Sequence, residues 1–295
     1  MSIEALLLEK KVRLTAAQKR VVNFIIQHYE EAIFLTVSRL ARKASVSEAT
    51  VIRLAQALGF DGYPGMQRML RENLQNRLST VTRIQETIKH AHHNGNILFK
   101  IMQEDIQNLT QTLHNIPQET FQRAVEDIRS ARRVFVAGLR GAHAPAIILV
   151  MYLRFLKKEA NLIVPGFGDV WNEILGLGSD DLVIGISLPR YTRLTVEVLA
   201  YAHDKGAKVG AISDSPLSPL AINADWVLPV SSRIDSFIES FTAAVSLVNA
   251  LLTAVSVQEP AETLKALKER EDLWKAKNIY MSPSPKGEGK PGTRP

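Results

Sequence analysis

Ser187, Leu188, Pro189, Arg190, Tyr191 and Thr192 gather two hydroxyls, a guanidinium and a phenol at the end of the apolar run DLVIGIS. Hydroxyls and a planar guanidinium fork are the groups that hold a carboxylate or a phosphate, and a helix starting at Thr192 would add its free N–H groups and dipole. A second loop, GLRGAH at 138–143, places Arg140 and His143 at the start of another helix. Arg140 stands where the dinucleotide fingerprint G-x-G-x-x-G needs its middle glycine, so the backbone is shielded from a pyrophosphate and no nicotinamide or flavin cofactor is expected. A third loop, Ser213-Asp214-Ser215-Pro216, supplies a further hydroxyl. Arg140, His143, Ser187, Arg190, Tyr191, Thr192 and Ser213 therefore form a candidate site for a small anion. The same residues would also serve as plain turns, with Thr192 only capping a helix and Arg190 only facing water. No catalytic set accompanies them, because neither His143 nor His203 is placed by the sequence beside a nucleophile and a third orienting group. His90, His92 and His93 lie close together without supporting carboxylates, so no metal site is expected.

A different chemistry is written into residues 36–60, TVSRLARKASVSEATVIRLAQALGF. Val37, Leu40 and Ala41 recur at helical spacing behind a capping Thr36. Val51, Leu54, Ala55 and Leu58 do the same behind Ser47, with Glu48 in the first turn and Gly59 as the stop. Two short amphipathic helices joined by Ala44-Ser45-Val46 read as a helix-turn-helix. Its second helix turns Ser47, Glu48, Thr50, Arg53 and Gln56 outward, polar side chains suited to base edges and phosphates in a major groove. A helical bundle would give the same burial pattern, but residues 1–80 carry twelve Lys and Arg against seven Asp and Glu, an excess that suits phosphate neutralisation.

The elements needed to hold these groups follow from periodicity. A helix over Ala16–Tyr29, capped by Thr15, precedes the pair, and another over Met66–Leu78 follows it. Residues 80–125 are polar, helical in period and broken at HHNGN, and read as a helical linker. From Arg133 onward, VFVAG (134–138), NLIVPG (161–166), DLVIGIS (181–187), AKVGAIS (207–213) and DWVLPV (225–230) are short branched runs, as strands buried on both faces must be. Helical stretches at 143–157, 192–205 and 237–257 separate them, and Glu239 or Ser240 at the start of the last would face the pocket. The expected fold is an all-α helix-turn-helix domain (1–79), the linker (80–125), an α/β domain with a five-stranded parallel sheet flanked by helices (126–258), and a charged helix with a disordered tail (259–295). Such sheets bind ligands beyond their carboxyl ends, where the three loops lie.

At 295 residues and 46% hydrophobic content the chain can bury two cores, and its lack of cysteine excludes disulfides and thiolate chemistry. The net charge of +6 suits a nucleic-acid partner. The N-terminus lacks the charge order of a secretory signal and no apolar run is long enough to span a bilayer, so a cytoplasmic protein with no membrane partner is expected.

The run SEATVIRLAQALGFDGY resembles the Ser-x-x-Thr-x-x-Arg-x-x-x-x-Leu-Gly-Phe-x-Gly-Phe/Tyr signature of the RpiR/MurR family of bacterial transcriptional regulators. AYAHDKGAKVGAISDSPLSPLAINADWVLPV resembles their sugar isomerase (SIS) domain. The resemblance implies a DNA-binding regulator, acting as a homodimer or tetramer on a palindromic double-stranded operator, whose SIS-like domain senses a phosphorylated sugar. It also matches Ser187, Thr192 and Ser213 to hydroxyl positions of the phosphate-binding loops. Pro189 and Arg190 replace the usual second Ser and Gly, and Ala142 replaces a serine, so two hydroxyl donors are missing and other small anions stay open as effectors. The alternative is a sugar-phosphate isomerase with an accessory helical domain, which the altered loop disfavours.

Overall fold

In a computed structural model the described residues are 14–77, 80–91, 96–166, 169–233 and 236–281. The first helix, α1 (Ala16–Gln27), opens on a capping box in which Thr15 and Gln18 satisfy each other's backbone N–H groups. It ends two residues earlier than periodicity suggests, and a short α2 (Tyr29–Ala32) turns the chain. The pair α3 (Val37–Lys43) and α4 (Glu48–Ala57) follows, then α5 (Tyr63–Arg77). Val21, Ile25, Leu35, Leu40, Val51, Leu54, Leu58, Met66 and Leu70 form the core of this domain. The backbone leaving α2 is pinned by α5. Tyr63 donates its hydroxyl to the Leu35 carbonyl at 2.6 Å and Gln67 donates to the same oxygen at 2.7 Å.

The segment expected as a helical linker is helical, as α6 (Thr80–Ala91), α7 (Ile97–Asn115) and α8 (Gln118–Ser130). However, α7 and α8 pack into the second half of the chain. Asn108 and Thr112 of α7 are buried, and their side chains hold the backbone of Ser231 and Arg233. On α8, buried Asp127 accepts from the Trp226 indole at 3.0 Å and from Lys208 at 2.5 Å, tying the helix to the sheet.

That sheet comprises β1 (Arg133–Gly138), β2 (Glu159–Leu162), β3 (Asp181–Ile186), β4 (Lys208–Ser213) and β5 (Trp226–Pro229), all parallel, in the order β2-β1-β3-β4-β5. Helices α9 (His143–Phe155), α11 (Arg193–Asp204) and α12 (Thr242–Gln258), with the short α10 (Val170–Glu173), connect and cover the strands. One core lies on each face of the sheet, around Leu149, Ile184 and Leu251 on one side and Val183, Leu199 and Val209 on the other. The last helix, α13 (Pro260–Ala276), lies against α9 through the Arg270 guanidinium over the Phe155 ring. The tail expected to be disordered falls, from residue 282, outside the described residues.

Two further boundaries differ from expectation, besides α5, which begins at Tyr63 rather than Met66. The second strand runs 159–162 rather than 161–166. It is an edge strand paired only with β1, so its position is set by register with Arg133–Val136, and the apolar run extends past it to Pro165. The last core helix starts at Thr242, not 237. Ser240 and Thr242 both donate hydroxyls to Asp105 of α7, which holds Phe237–Ser240 as a loop. Among the described residues no single helix is long and apolar enough to cross a membrane.

Candidate functional site

In the order β2-β1-β3-β4-β5 the chain changes direction between β1 and β3, so the crevice at this topological switch opens beyond Gly138 and Ile186. The sheet thus brings the three loops singled out by sequence to one rim. After β3, Ser187 is buried, and its Oγ accepts the Thr192 N–H at 3.2 Å. Its carbonyl accepts from the Ser213 hydroxyl at 2.9 Å, joining the loops after β3 and β4. Ser213 is fully buried and Asp214 accepts the Tyr191 hydroxyl at 2.7 Å, so the phenol is turned toward the neighbouring loop.

Thr192 stands at the N-cap of α11 but makes no side-chain cap bond, which corrects the expected capping role. Ser187 bonds the Thr192 backbone N–H, while the first-turn Thr195 N–H is met by the Thr192 carbonyl at 3.1 Å and not by its hydroxyl. Arg190 sits at φ 69°, the left-handed conformation that glycine favours. A turn that favours glycine is therefore made here with a guanidinium attached, while Pro189 has no N–H to offer. Arg140 is likewise left-handed at φ 58° and exposed. His143 opens α9 with its Nδ1 2.9 Å from the Gly138 carbonyl, leaving Nε2 as the outward nitrogen. The strand-end loop is tight. A Cβ at Gly138 would stand 2.5 Å from the Ala142 carbonyl oxygen, and one at Gly141 would stand 2.4 Å from the Phe241 ring.

Two hydroxyls that the sequence does not single out, those of Thr195 and Ser218, lie in the same segments. Both are completely buried, one in the first turn of α11 and the other closing the loop after β4, and neither hydroxyl has a hydrogen-bond partner among the described residues. Helical amphipathicity marks position 195 as inward without showing that its polar atom lacks a partner. Among the described residues no group of three His, Asp or Glu could hold a metal. His92, His93 and the side chain of His90 lie outside the described residues.

The helix-turn-helix is built by its caps. Thr36 accepts the Arg39 N–H, and Ser47 accepts the Thr50 N–H at 3.3 Å. Between the helices Ser45 takes φ 53°, and the Val46 N–H reaches back to the Ala41 carbonyl, closing the turn in few residues. Gly59 at φ 88° ends α4 as expected. Of the side chains expected outward, Ser47, Glu48, Arg53 and Gln56 are exposed and Thr50 is half-buried. Ser47 and Thr50 are joined hydroxyl to hydroxyl at 2.9 Å, so both are engaged in the cap. Arg53 donates Nε to the Ala49 carbonyl at 3.2 Å and lies along the helix.

The two domains touch at the rim. Tyr191 lies 6.2 Å, ring to ring, from Phe34, and Leu217 of the loop after β4 packs on the helical core. Beside this contact a cleft of about 540 Å³ is lined by Leu35, Arg39, Arg42, Lys43, Ser215 and Leu217.

A capped helix-turn-helix joined to a parallel α/β domain with a hydroxyl-bearing rim defines a helix-turn-helix protein with a sugar isomerase-type second domain. Residues 1–77 match the helix-turn-helix domain of the rpiR family, and residues 127–254 match the SIS domain family. The chain is 34% identical to the sugar isomerase domain of an RpiR transcription factor from Sphaerobacter thermophilus, over 60% of this chain and 98% of that one, with a TM-score of 0.58. It is 29% identical to the HTH-type transcriptional regulator HexR of Pseudomonas aeruginosa, over 75% of this chain and 80% of the relative. The Vibrio vulnificus NanR protein, solved in complex with ManNAc-6P, shares the fold at 20% identity and a TM-score of 0.60, covering 92% of this chain and 98% of that one. The chain belongs to the RpiR family of helix-turn-helix transcriptional regulators.

Proposed function

We propose that this regulator reads an inverted-repeat operator through α4 and adjusts its grip when a small anionic metabolite, foremost a phosphorylated sugar, occupies the rim beyond β1, β3 and β4. The observation that carries the effector half is that Ser187 is bonded both to Thr192 and to Ser213 beyond β3 and β4, with Arg190 in the same loop and the buried hydroxyls of Thr195 and Ser218 in the adjoining segments. The ManNAc-6P complex of the NanR protein supports the phosphosugar class. Arg140 and Arg190 supply charge where the SIS loop supplies hydroxyls, and His143 Nε2 adds a donor or acceptor. In this reading the protein works in the cytoplasm by binding, without turnover. Arg53 and Gln56 face base edges, Glu48 sits beside them, and Ser47 and Thr50 hold the first turn in place.

Self-association is supported by α7, where Leu98, Phe99, Met102, Ile106 and Leu113 are exposed along one side. A two-fold assembly would present two recognition helices to two half-sites.

The test is selection of genomic fragments by the purified protein at physiological salt, then titration of the best fragment with a panel of sugar phosphates. A discrete palindrome, weakened by Arg53→Ala or Gln56→Ala, and a phosphosugar response lost in Arg190→Ala are the expected outcomes. Diffuse binding abolished by salt would overturn the operator reading, and turnover of a phosphosugar would establish the isomerase alternative.

A further inference from the structure

The outward face of α4 is divided between apolar and polar side chains. Val51, Leu54, Ala55 and Leu58 are buried in the helical core. At about 100° per residue the opposite side of the helix is centred on Ala49 and Gln56, with Arg53 on one flank and Ile52 on the other. Ala49, Ile52, Arg53 and Gln56 are all exposed, Ile52 by 38%. Isolated exposed apolar side chains are ordinary on protein surfaces, so exposure alone would mean little. Position distinguishes Ile52. It lies one turn from Ala49, and the two make an apolar strip along the part of the helix that a major groove would receive.

The neighbours sharpen this. Ser47 and Thr50 are engaged with each other in the cap. Arg53 is drawn back toward Ala49 by its Nε bond, which leaves its two terminal nitrogens for an acceptor pair. On the Ile52 side the next residue around the helix is Glu48, one turn earlier, and a carboxylate there repels phosphates. The Ile52 flank is therefore unsuited to the DNA backbone and suited to the floor of the groove. There the only apolar group that a base pair displays is the thymine 5-methyl.

We propose that Ile52, backed by Ala49, recognises the 5-methyl group of a thymine in each operator half-site, next to the purine contacted by Arg53 or Gln56. This rests on α4 being the recognition helix. Glu48 narrows the neighbouring position, because its oxygens accept and never donate.

The test uses the full-length protein and the best duplex from genomic selection, with each thymine of a half-site replaced in turn by deoxyuridine, which lacks only the methyl. Burying one methyl group predicts about a fourfold loss of wild-type affinity at one position. Ile52→Ala should bind the thymine duplex with a similar loss and be indifferent to deoxyuridine at that position, while Ile52→Val keeps most of the dependence. Since Ile52 is exposed, Ile52→Ala should melt with the wild type. Wild-type indifference to every thymine methyl, or full methyl dependence retained in Ile52→Ala, would overturn the proposal while leaving operator binding intact. If Arg53→Ala and Gln56→Ala also leave affinity and specificity unchanged, the recognition-helix assignment itself fails.

Discussion

Asp181 illustrates how one side chain organises the base of the sheet. Its carboxylate is fully buried at the start of β3, where Arg133 donates at 2.7 and 3.0 Å, Arg132 at 3.0 and 3.2 Å, and the Gly178 N–H at 3.0 Å. Burial pushes the carboxyl up, but the two guanidiniums and the amide outweigh it and hold it at about 2, below the ordinary 3.8. Because the folded value is the lower one, this contribution is complete above about pH 4 and is lost as the pH falls toward 2. Asp181→Asn should cost about 2 kcal/mol in urea unfolding at pH 7, since Arg132 and Arg133 stay partly solvated when they lose the carboxylate, and should flatten the acid limb of stability. Tyr63 behaves in the opposite sense. Burial pushes its hydroxyl up to about 12, so its contribution is complete below pH 10 and lost as the pH rises toward 12. Tyr63→Phe should cost about 1 kcal/mol at neutral pH, because Gln67 still serves the Leu35 carbonyl, and should remove the alkaline step seen by circular dichroism.

Elements were legible where their signals are local. Thr15, Thr36 and Ser47 each bond to the N–H three residues on, so a four-residue window contains the whole interaction. Ser47→Ala should lower stability by about 1 kcal/mol in thermal or urea unfolding, and Ser47→Asp should restore the cap. A lost operator affinity that Ser47→Asp fails to recover, although stability returns, would reflect the added charge near phosphate rather than fraying of α4. Element ends set by distant partners were not legible. The start of α12 depends on Asp105, 137 residues from Thr242 in sequence, and β2 depends on its register with β1. Thr192 at the start of α11 makes no capping bond with its hydroxyl, and its own N–H is held by the Ser187 hydroxyl five residues back.

At the scale of the molecule, α7 has two unlike sides. Asp105, Asn108 and Thr112 fasten the loop before α12, while Leu98, at 70% exposure, begins the apolar stripe that runs through Met102 and Ile106 to Leu113. Met102→Glu should break the two-fold assembly proposed above into monomers in sedimentation velocity and weaken operator binding by uncoupling the second recognition helix. An unchanged sedimentation coefficient would exclude this stripe as the contact. Periodicity, caps and the run SEATVIRLAQALGFDGY were enough to establish a helix-turn-helix followed by a parallel α/β fold, because those signals repeat within a turn or a strand. The sheet order, the bond between Tyr191 and Asp214 across 23 residues, the orphan hydroxyls of Thr195 and Ser218, and the grip of α7 on the loop before α12 were decided by tertiary structure. They depend on how separate strands align after long crossovers, and no local period in the chain records that alignment.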